Sequence, residues 1–174
     1  MRTLPALRGG RVALRALRED DVDWLSGVIA QPEIARWWGP RAHDREHMRV
    51  GLLEDVAAGA AFAIEVDGAL AGWLGVEEEE EPDYRHASLD IFLAPALHGA
   101  GHGSAALRLA ARWLLGERGH HRLTIDPAAA NERAIGVYAS LGFKPVGIMR
   151  EYERGPDDEW RDGLLMDLLA DELT

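Results

Sequence analysis

The residues best able to do chemistry fall in three short stretches. They are His98-Gly99-Ala100-Gly101-His102-Gly103 with Ser104 behind it, Asp90 within SLDIFL, and Asp126-Pro127 followed by Asn131 and Tyr138. A glycine-rich turn between a strand and a helix exposes backbone N–H groups. The helix N-terminus adds a positive partial charge, so such a turn can hold a phosphate. Glycine lets the backbone come close to an anion, and the Ser104 hydroxyl adds a donor. A tight strand–helix connection that binds nothing fits the same residues equally well. The dinucleotide fingerprint G-x-G-x-x-G is not met, because the spacing here is G-x-G-x-G. No G-K-[ST] follows the glycines, and His102 and Ala106 break the G-x-S-x-G nucleophile pattern.

Asp90 is flanked by Leu89, Ile91, Phe92 and Leu93. An acid in an apolar setting is a candidate for a functional group with a shifted pKa. A solvated strand acid is the plainer reading. Asn131, Ala134 and Tyr138 share one face of a helix, since residues seven apart lie two turns apart. The segment HDREH at 43–47 meets H-x-x-E-H formally. Its acids read instead as first-turn capping, and no metal site is expected. The chain has no cysteine, which removes thiolate metal sites, disulfides and an acyl-cysteine route for group transfer.

The elements that must carry these residues follow from the hydrophobic pattern. RVALRAL (11–17) alternates as a strand, and REDDVDWLSGVIA follows as a helix that Pro32 breaks. HDREHMRVGLLEDVAAG is a second helix with Met48, Leu52, Leu53 and Val56 on its apolar face and Gly59 as its stop. Residues 61–77 form a hairpin turned at Asp67-Gly68, and EEEEEPDYRH is a charged loop. ASLDIFLA is the fourth strand, and SAALRLAARWLLGERG after the glycine loop is a helix. HRLTIDPA is a strand, NERAIGVYASLG is a helix capped by Asn131 and stopped at Gly142, and a last hairpin turns at Pro156-Asp157-Asp158. The order is β α α β β β α β α β β. It implies an α/β (α+β) architecture with a mixed, mostly antiparallel sheet of about seven strands and about four helices, in one domain over residues 1–174.

Composition narrows the partners. A net charge of −11 with a single lysine, Lys144, argues against nucleic acid; it would draw in a cationic partner or substrate, and it fits solubility alone as well. No apolar run is long enough for a membrane span, and the N-terminal residues have no apolar core of signal-peptide length. A cytoplasmic protein is expected.

On these residues the chain resembles the GNAT superfamily of acetyl-CoA-dependent N-acetyltransferases. Their diphosphate loop reads [QR]-x-x-G-x-[GA] after the fourth strand, and His98 stands here at the Gln/Arg position. Their N-x-x-A-x-x-x-Y-x-x-x-G-F pattern is met by Asn131, Ala134, Tyr138, Gly142 and Phe143. Within the superfamily the chain is most similar to the aminoglycoside 6′-N-acetyltransferases. QPEIARWWGP, the fourth-strand Asp90 and DPAAANERAI carry that likeness.

The resemblance implies acetyl transfer from acetyl-CoA to a primary amine by direct attack, the 6′-amino group of an aminoglycoside being the first expectation. Alternatives are a protein N-terminus of the ribosomal-protein type, a siderophore-pathway or other metabolite amine, and a non-catalytic CoA-binding module. Asp90 would bind the ammonium and accept its proton, and Tyr138 would protonate the leaving thiolate. Backbone N–H groups at a bulge near Phe92 and Leu93 would polarise the thioester. His98, Gly99, Gly101, His102, Gly103 and Ser104 would line the diphosphate, and Asn131 the pantetheine arm. If His98 grips only as a cation, the KM for acetyl-CoA should rise between about pH 6 and about pH 8. Trp37, Trp38, Asp90 and Asp126 would meet the acceptor, with Glu77–Glu81 as a solvated run able to steer a polycation. A monomer or a homodimer is expected.

Overall fold

The computed structural model describes residues 4–174, so Met1–Thr3 of the expected 1–174 domain lie outside the described residues. Within them the chain runs β1 (Leu7–Gly9), β2 (Val12–Ala16), α1 (Glu19–Ile29), α2 (Pro32–Ala35), α3 (Arg45–Ala58), β3 (Ala61–Val66), β4 (Ala69–Glu79) and β5 (His86–Leu93). A 3-10 turn (Pro95–Leu97), α4 (His102–Gly116), β6 (Arg122–Ile125), α5 (Glu132–Ser140), β7 (Lys144–Arg154) and β8 (Trp160–Leu169) complete it. The strands form one sheet in the order β1-β2-β3-β4-β5-β6-β8-β7. β5 and β6 are parallel and every other neighbouring pair is antiparallel. This is the mixed α/β fold expected, with one more strand and one more helix than the pattern suggested.

Each face of the sheet buries an apolar layer. Leu14, Phe62, Ile64, Leu74, Leu89, Leu107, Leu114 and Met166 fill the layer that includes α4. Leu17, Leu25, Ile29, Ala63, Trp73 and Phe92 fill the layer that includes α1. Local signals explain the boundaries. Asp67 and Gly68 both have positive φ (52° and 83°), as a two-residue hairpin turn requires. Gly59 ends α3 in the left-handed conformation, and the Asn131 side chain accepts the Ala134 N–H at 3.2 Å to start α5. Arg15 of β2 forks onto Asp21 at 2.7 and 2.8 Å and reaches Glu65 at 2.6 Å, tying α1 to the sheet.

Four local expectations change. α3 begins at Arg45 rather than His43, because Asp44 caps it by accepting the His47 N–H at 3.0 Å. Thus His43 and His47 do not share a helix. α4 begins at His102 inside the glycine loop rather than at Ser104. The charged run is not a loop throughout, since Glu77, Glu78 and Glu79 pair with Ser88, Ala87 and His86. Nor is it all solvated: the buried Glu78 carboxylate meets His120 at 2.6 Å and Arg118 at 2.9 Å. The expected bulge in the fourth strand, here β5, is absent, as β5 pairs with β4 without a register shift from His86 to Leu93.

What opens the sheet is a parting of strands. β5 and β6 pair only at Ala87↔Leu123 and Ser88↔Thr124. β5 continues beside β4 as far as Leu93↔Gly72, so its other edge from Leu89 onward is left facing a cleft.

Candidate active site

Two cavities adjoin at this parting. The larger, about 720 Å³, is lined by the glycine loop, the N-terminal turn of α4 and one face of α5. The smaller, about 420 Å³, holds Asp90, Asp126, Tyr152 and Glu153. Trp37, Trp38, Ile91, Asn131 and Tyr138 line both. Phe92, Leu93, His98, Gly99, Gly101, His102, Gly103 and Ser104 all lie on the larger cavity, and Asp90 and Asp126 on the smaller. The structure therefore brings all the sequence-derived candidates to one cleft and divides them between two chambers.

The loop is shaped by two glycines. Gly99 and Gly101 have φ of 80° and 81°, a region other residues enter only with strain. Nothing lies within 4 Å of where their Cβ atoms would be, so the loop is open on that side. His102 is the first residue of α4 and is buried. His98 has a different duty from the one expected. Its Nε2 lies 2.9 Å from the Leu93 carbonyl, and its Nδ1 accepts from Arg133 at 3.1 Å. Those partners assign the neutral tautomer with the proton on Nε2. A charged His98 gripping phosphate, and the rise of KM with pH that it implied, do not fit this geometry.

The backbone N–H groups expected near Phe92 and Leu93 can also be placed. The Ala94 N–H donates to the Ala71 carbonyl of β4 at 2.9 Å. Strand alternation then turns the backbone groups of Phe92 toward β4 as well, and those of Leu93 and Ile91 toward the cleft. Of the two expected N–H groups, that of Leu93 faces the larger cavity, while Phe92 contributes its ring.

That ring belongs to an aromatic wall. Trp73 stacks on Phe92 with centroids 5.6 Å apart, and Trp38 meets both edge-on at 5.8 and 5.7 Å. Trp38 is thus partly core, whereas Trp37 carries the Arg36 guanidinium 4.6 Å above its ring. The Trp73 indole lies over Gly75, where an added Cβ would come within 2.4 Å of it. Gly75 is the register partner of Asp90. The Trp73 Nε1–H donates to Asp55 at 3.2 Å.

Asp90 keeps solvent access through the cleft, yet protein surrounds it on the other sides. Burial pushes its carboxyl up to about 7, and the negative charges of Asp126, Glu153 and Asp55 add to the effect. The Ile91 N–H, donating to Asp90 Oδ1 at 2.9 Å, opposes it. Tyr138 is buried, and burial first, then Asp90 and Asp126, hold its hydroxyl protonated well above the usual phenol range. Tyr152 is pushed up to about 12, chiefly by its hydrogen bond to Asp126. Burial and Asp126 raise the Glu153 carboxyl, and burial takes Asp55 up to about 6. The charges of Asp126 and Glu153 within the chamber, and of Asp55 outside it, thus bear on Asp90, and that of Asp126 bears on Glu153 as well. Arg133, Tyr152, Glu153 and Asp55 were not singled out from sequence, and only their final positions mark them.

The sequence profile of the acetyltransferase (GNAT) domain matches residues 11–144. The chain belongs to the GNAT acetyltransferases. A Klebsiella pneumoniae relative, an aminoglycoside N(6′)-acetyltransferase type 1, is 27% identical over 155 residues, covering 78% of this chain and 75% of that protein. A spermidine N(1)-acetyltransferase of Escherichia coli is 25% identical over 146 residues, covering 81% and 77%. A Bacillus subtilis relative, a candidate ribosomal-protein alanine N-acetyltransferase, is 27% identical over 156 residues, covering 90% and 94%. Among solved structures, Mycobacterium smegmatis RimJ in complex with CoA-disulfide is 25% identical with a TM-score of 0.80, covering 98% of this chain and 88% of that one. As a GNAT enzyme, the protein is an acetyl-CoA-dependent N-acetyltransferase. The glycine loop fits that co-substrate, since its positive-φ cradle is open to a diphosphate. No helix among the described residues is long and apolar enough to cross a membrane.

Proposed function

We propose that this GNAT enzyme acetylates a primary amine of a small, multiply cationic acceptor, the 6′-amino group of an aminoglycoside first, by direct attack in a ternary complex. The observation that carries this reading is the meeting of an open loop-lined cavity with a carboxylate-lined one across Tyr138 and Ile91. When bound, acetyl-CoA supplies an acetyl group activated as a thioester. The loop around Gly99, Gly101, Gly103 and Ser104 receives the diphosphate on backbone N–H groups at the α4 N-terminus. Asn131 uses Oδ1 for its helix cap, which leaves its amide NH₂ to donate to a pantetheine carbonyl.

The acceptor ammonium enters the acidic chamber, drawn by Asp90, Asp126 and Glu153, with Trp37 and Trp38 at the shared wall. Asp90 takes one proton, directly or through a water, and the freed amine forms a bond to the acetyl carbon. The Leu93 N–H faces the place where negative charge would build on the carbonyl oxygen. As the carbon–sulfur bond breaks, Tyr138 gives its hydroxyl proton to the sulfur, and the second proton of the acetylated nitrogen passes back to the tyrosinate, which leaves the amide, the free thiol and a neutral Tyr138. A raised phenol is a weak acid in the resting protein. Part of that rise comes from the Asp90 charge, which vanishes once Asp90 holds the amine proton. Proton uptake at Asp90 therefore makes Tyr138 a better donor at the step that needs it.

A polyamine is the second reading, favoured because a linear chain of ammonium groups would meet the same three carboxylates without a sugar. The test measures free-thiol release from acetyl-CoA across aminoglycosides, polyamines and peptides. Turnover with kanamycin-like amines supports the leading reading. Turnover with spermidine alone selects the second, and turnover confined to peptides overturns both.

A further inference from the structure

A diphosphate carries two negative charges, and the chain supplies no lysine or arginine from Ala94 to Ser104 to meet them. The cation comes from another element. Arg133, the second residue of α5, lies on the same cavity as the loop and is held by His98 across 35 residues of sequence. Arg36 also borders that cavity, but its guanidinium is stacked on Trp37. We propose that Arg133 is the guanidinium that neutralises the CoA diphosphate, and that His98 is its positioning residue.

The geometry of His98 makes it a rigid bracket. Nε2–H is fixed on the Leu93 carbonyl, so Nδ1 can only accept, and it accepts from Arg133 Nη1. Only one N–H of the guanidinium is engaged in this way. The planar fork keeps its remaining donors for two phosphate oxygens, the arrangement in which arginine binds phosphate best. The bracket also couples the two ends of the co-substrate site. The strand edge that bears the Leu93 N–H is joined through one imidazole to the diphosphate cation.

This inference rests on the placement of acetyl-CoA proposed above, and binding needs no acceptor, so the test is calorimetric. CoA, 3′-dephospho-CoA and pantetheine are titrated into the wild-type protein and its variants. Arg133→Ala should weaken CoA and 3′-dephospho-CoA alike, by about ten- to a hundredfold, as expected for loss of a hydrogen bond to a charged group. It should leave pantetheine, which has no phosphate, unchanged. His98→Ala should cause several-fold weakening of the same two ligands. His98→Gln should restore them, because its amide can donate to Leu93 and accept from Arg133 together. A loss confined to CoA would mean that the guanidinium reads the 3′-phosphate, and equal weakening of pantetheine would mean general damage. Either result overturns the assignment, and unaltered binding by His98→Ala overturns the bracket. Gly101→Val has room for its side chain but a backbone that resists it, so it tests the loop itself. If it abolishes CoA binding while Arg133→Ala does not, the placement stands and the Arg133 proposal fails. If neither changes binding, the placement fails.

Discussion

Replacing Asp90 by asparagine separates the chemistry of the acidic chamber from its packing. The side chain keeps its shape and its Oδ1 acceptor for the Ile91 N–H, but loses its charge and its proton affinity. With the carboxyl at about 7, roughly a tenth of Asp90 is ionised at about pH 6 and roughly nine-tenths at about pH 8. The ionised form accepts the proton, so wild-type kcat/KM should rise about tenfold over that interval with an acceptor whose amine titrates higher. A positioned base contributes roughly 10² to 10⁴ in rate, about 3 to 5 kcal/mol of barrier. Asp90→Asn should therefore lose about that factor at pH 8 and show no acidic limb. Stability should move the other way. Burial raises the Asp90 carboxyl in the folded protein above its ordinary value of 3.8, so the contribution to stability is full below about pH 4 and is lost as pH rises through about 7. Asp90→Asn should raise the Tm at pH 8 and leave it nearly unchanged at pH 4. The assays are thiol release against pH and thermal melts of both proteins at both pH values. A flat wild-type profile from pH 6 to 8, or a variant within about threefold of wild type at pH 8, would refute the base assignment.

Tyr138→Phe should lower kcat by about 10²-fold with the KM for acetyl-CoA nearly unchanged, as expected for loss of a general acid. Because Tyr138 is held protonated above the usual phenol range, the wild-type profile should show no falling limb from it below about pH 10. Glu153→Gln should raise the KM of a multiply charged acceptor by about fivefold, roughly 1 kcal/mol, and leave calorimetric CoA binding unchanged. The Glu153 charge helps raise Asp90, so the same variant should move the acidic limb below its wild-type midpoint. Gly75→Ala would set a Cβ 2.4 Å from the Trp73 indole, displacing it from Phe92 and Asp55. Urea unfolding should show a loss of about 1 to 3 kcal/mol.

The readable parts of this chain are those whose signals are local. The glycine loop, the Asn131 cap and the phase that sets Asn131 and Tyr138 on one face depend on residues a few positions apart. So does the Asp67-Gly68 hairpin. The elements that escaped are short or long-range. β1 has three residues, too few for an alternation to register. Glu153 and Tyr152 sit on β7, a sheet-edge strand with almost no buried positions and hence no periodicity. They reach the chamber because the β7–β8 register shifts between Met149 and Glu153, where Glu151 takes a φ of 49°. Arg133 reads as an ordinary exposed helix residue, and its place at the cavity follows from a tautomer set by the Leu93 carbonyl. Glu78 looks like one of five solvated acids until Arg118 and His120 come round from the end of α4.

Gathering carboxylates around a reacting amine creates a conflict that the structure resolves by distribution. Negative charge draws in a cationic acceptor, but it also stabilises the ammonium form, which cannot attack. A lone ionised aspartate of ordinary pKa would bind the acceptor and be a poor base toward it. Here Asp126 and Glu153 line the same chamber as Asp90 and would share the attraction, while burial first and then their fields raise Asp90 to about 7. The groups that would bind the cation thus add to the burial that makes Asp90 a stronger base. Each proton that Asp90 takes then relieves the field holding the Tyr138 proton in place. With the proposed Arg133 bracket, an acidic chamber on one side of Tyr138 and a cationic loop on the other would set opposite potentials at the two ends of the reaction. In the proposed reaction, a cationic acceptor and the anionic co-substrate would be sorted to their own cavities before they meet at Ile91 and Tyr138.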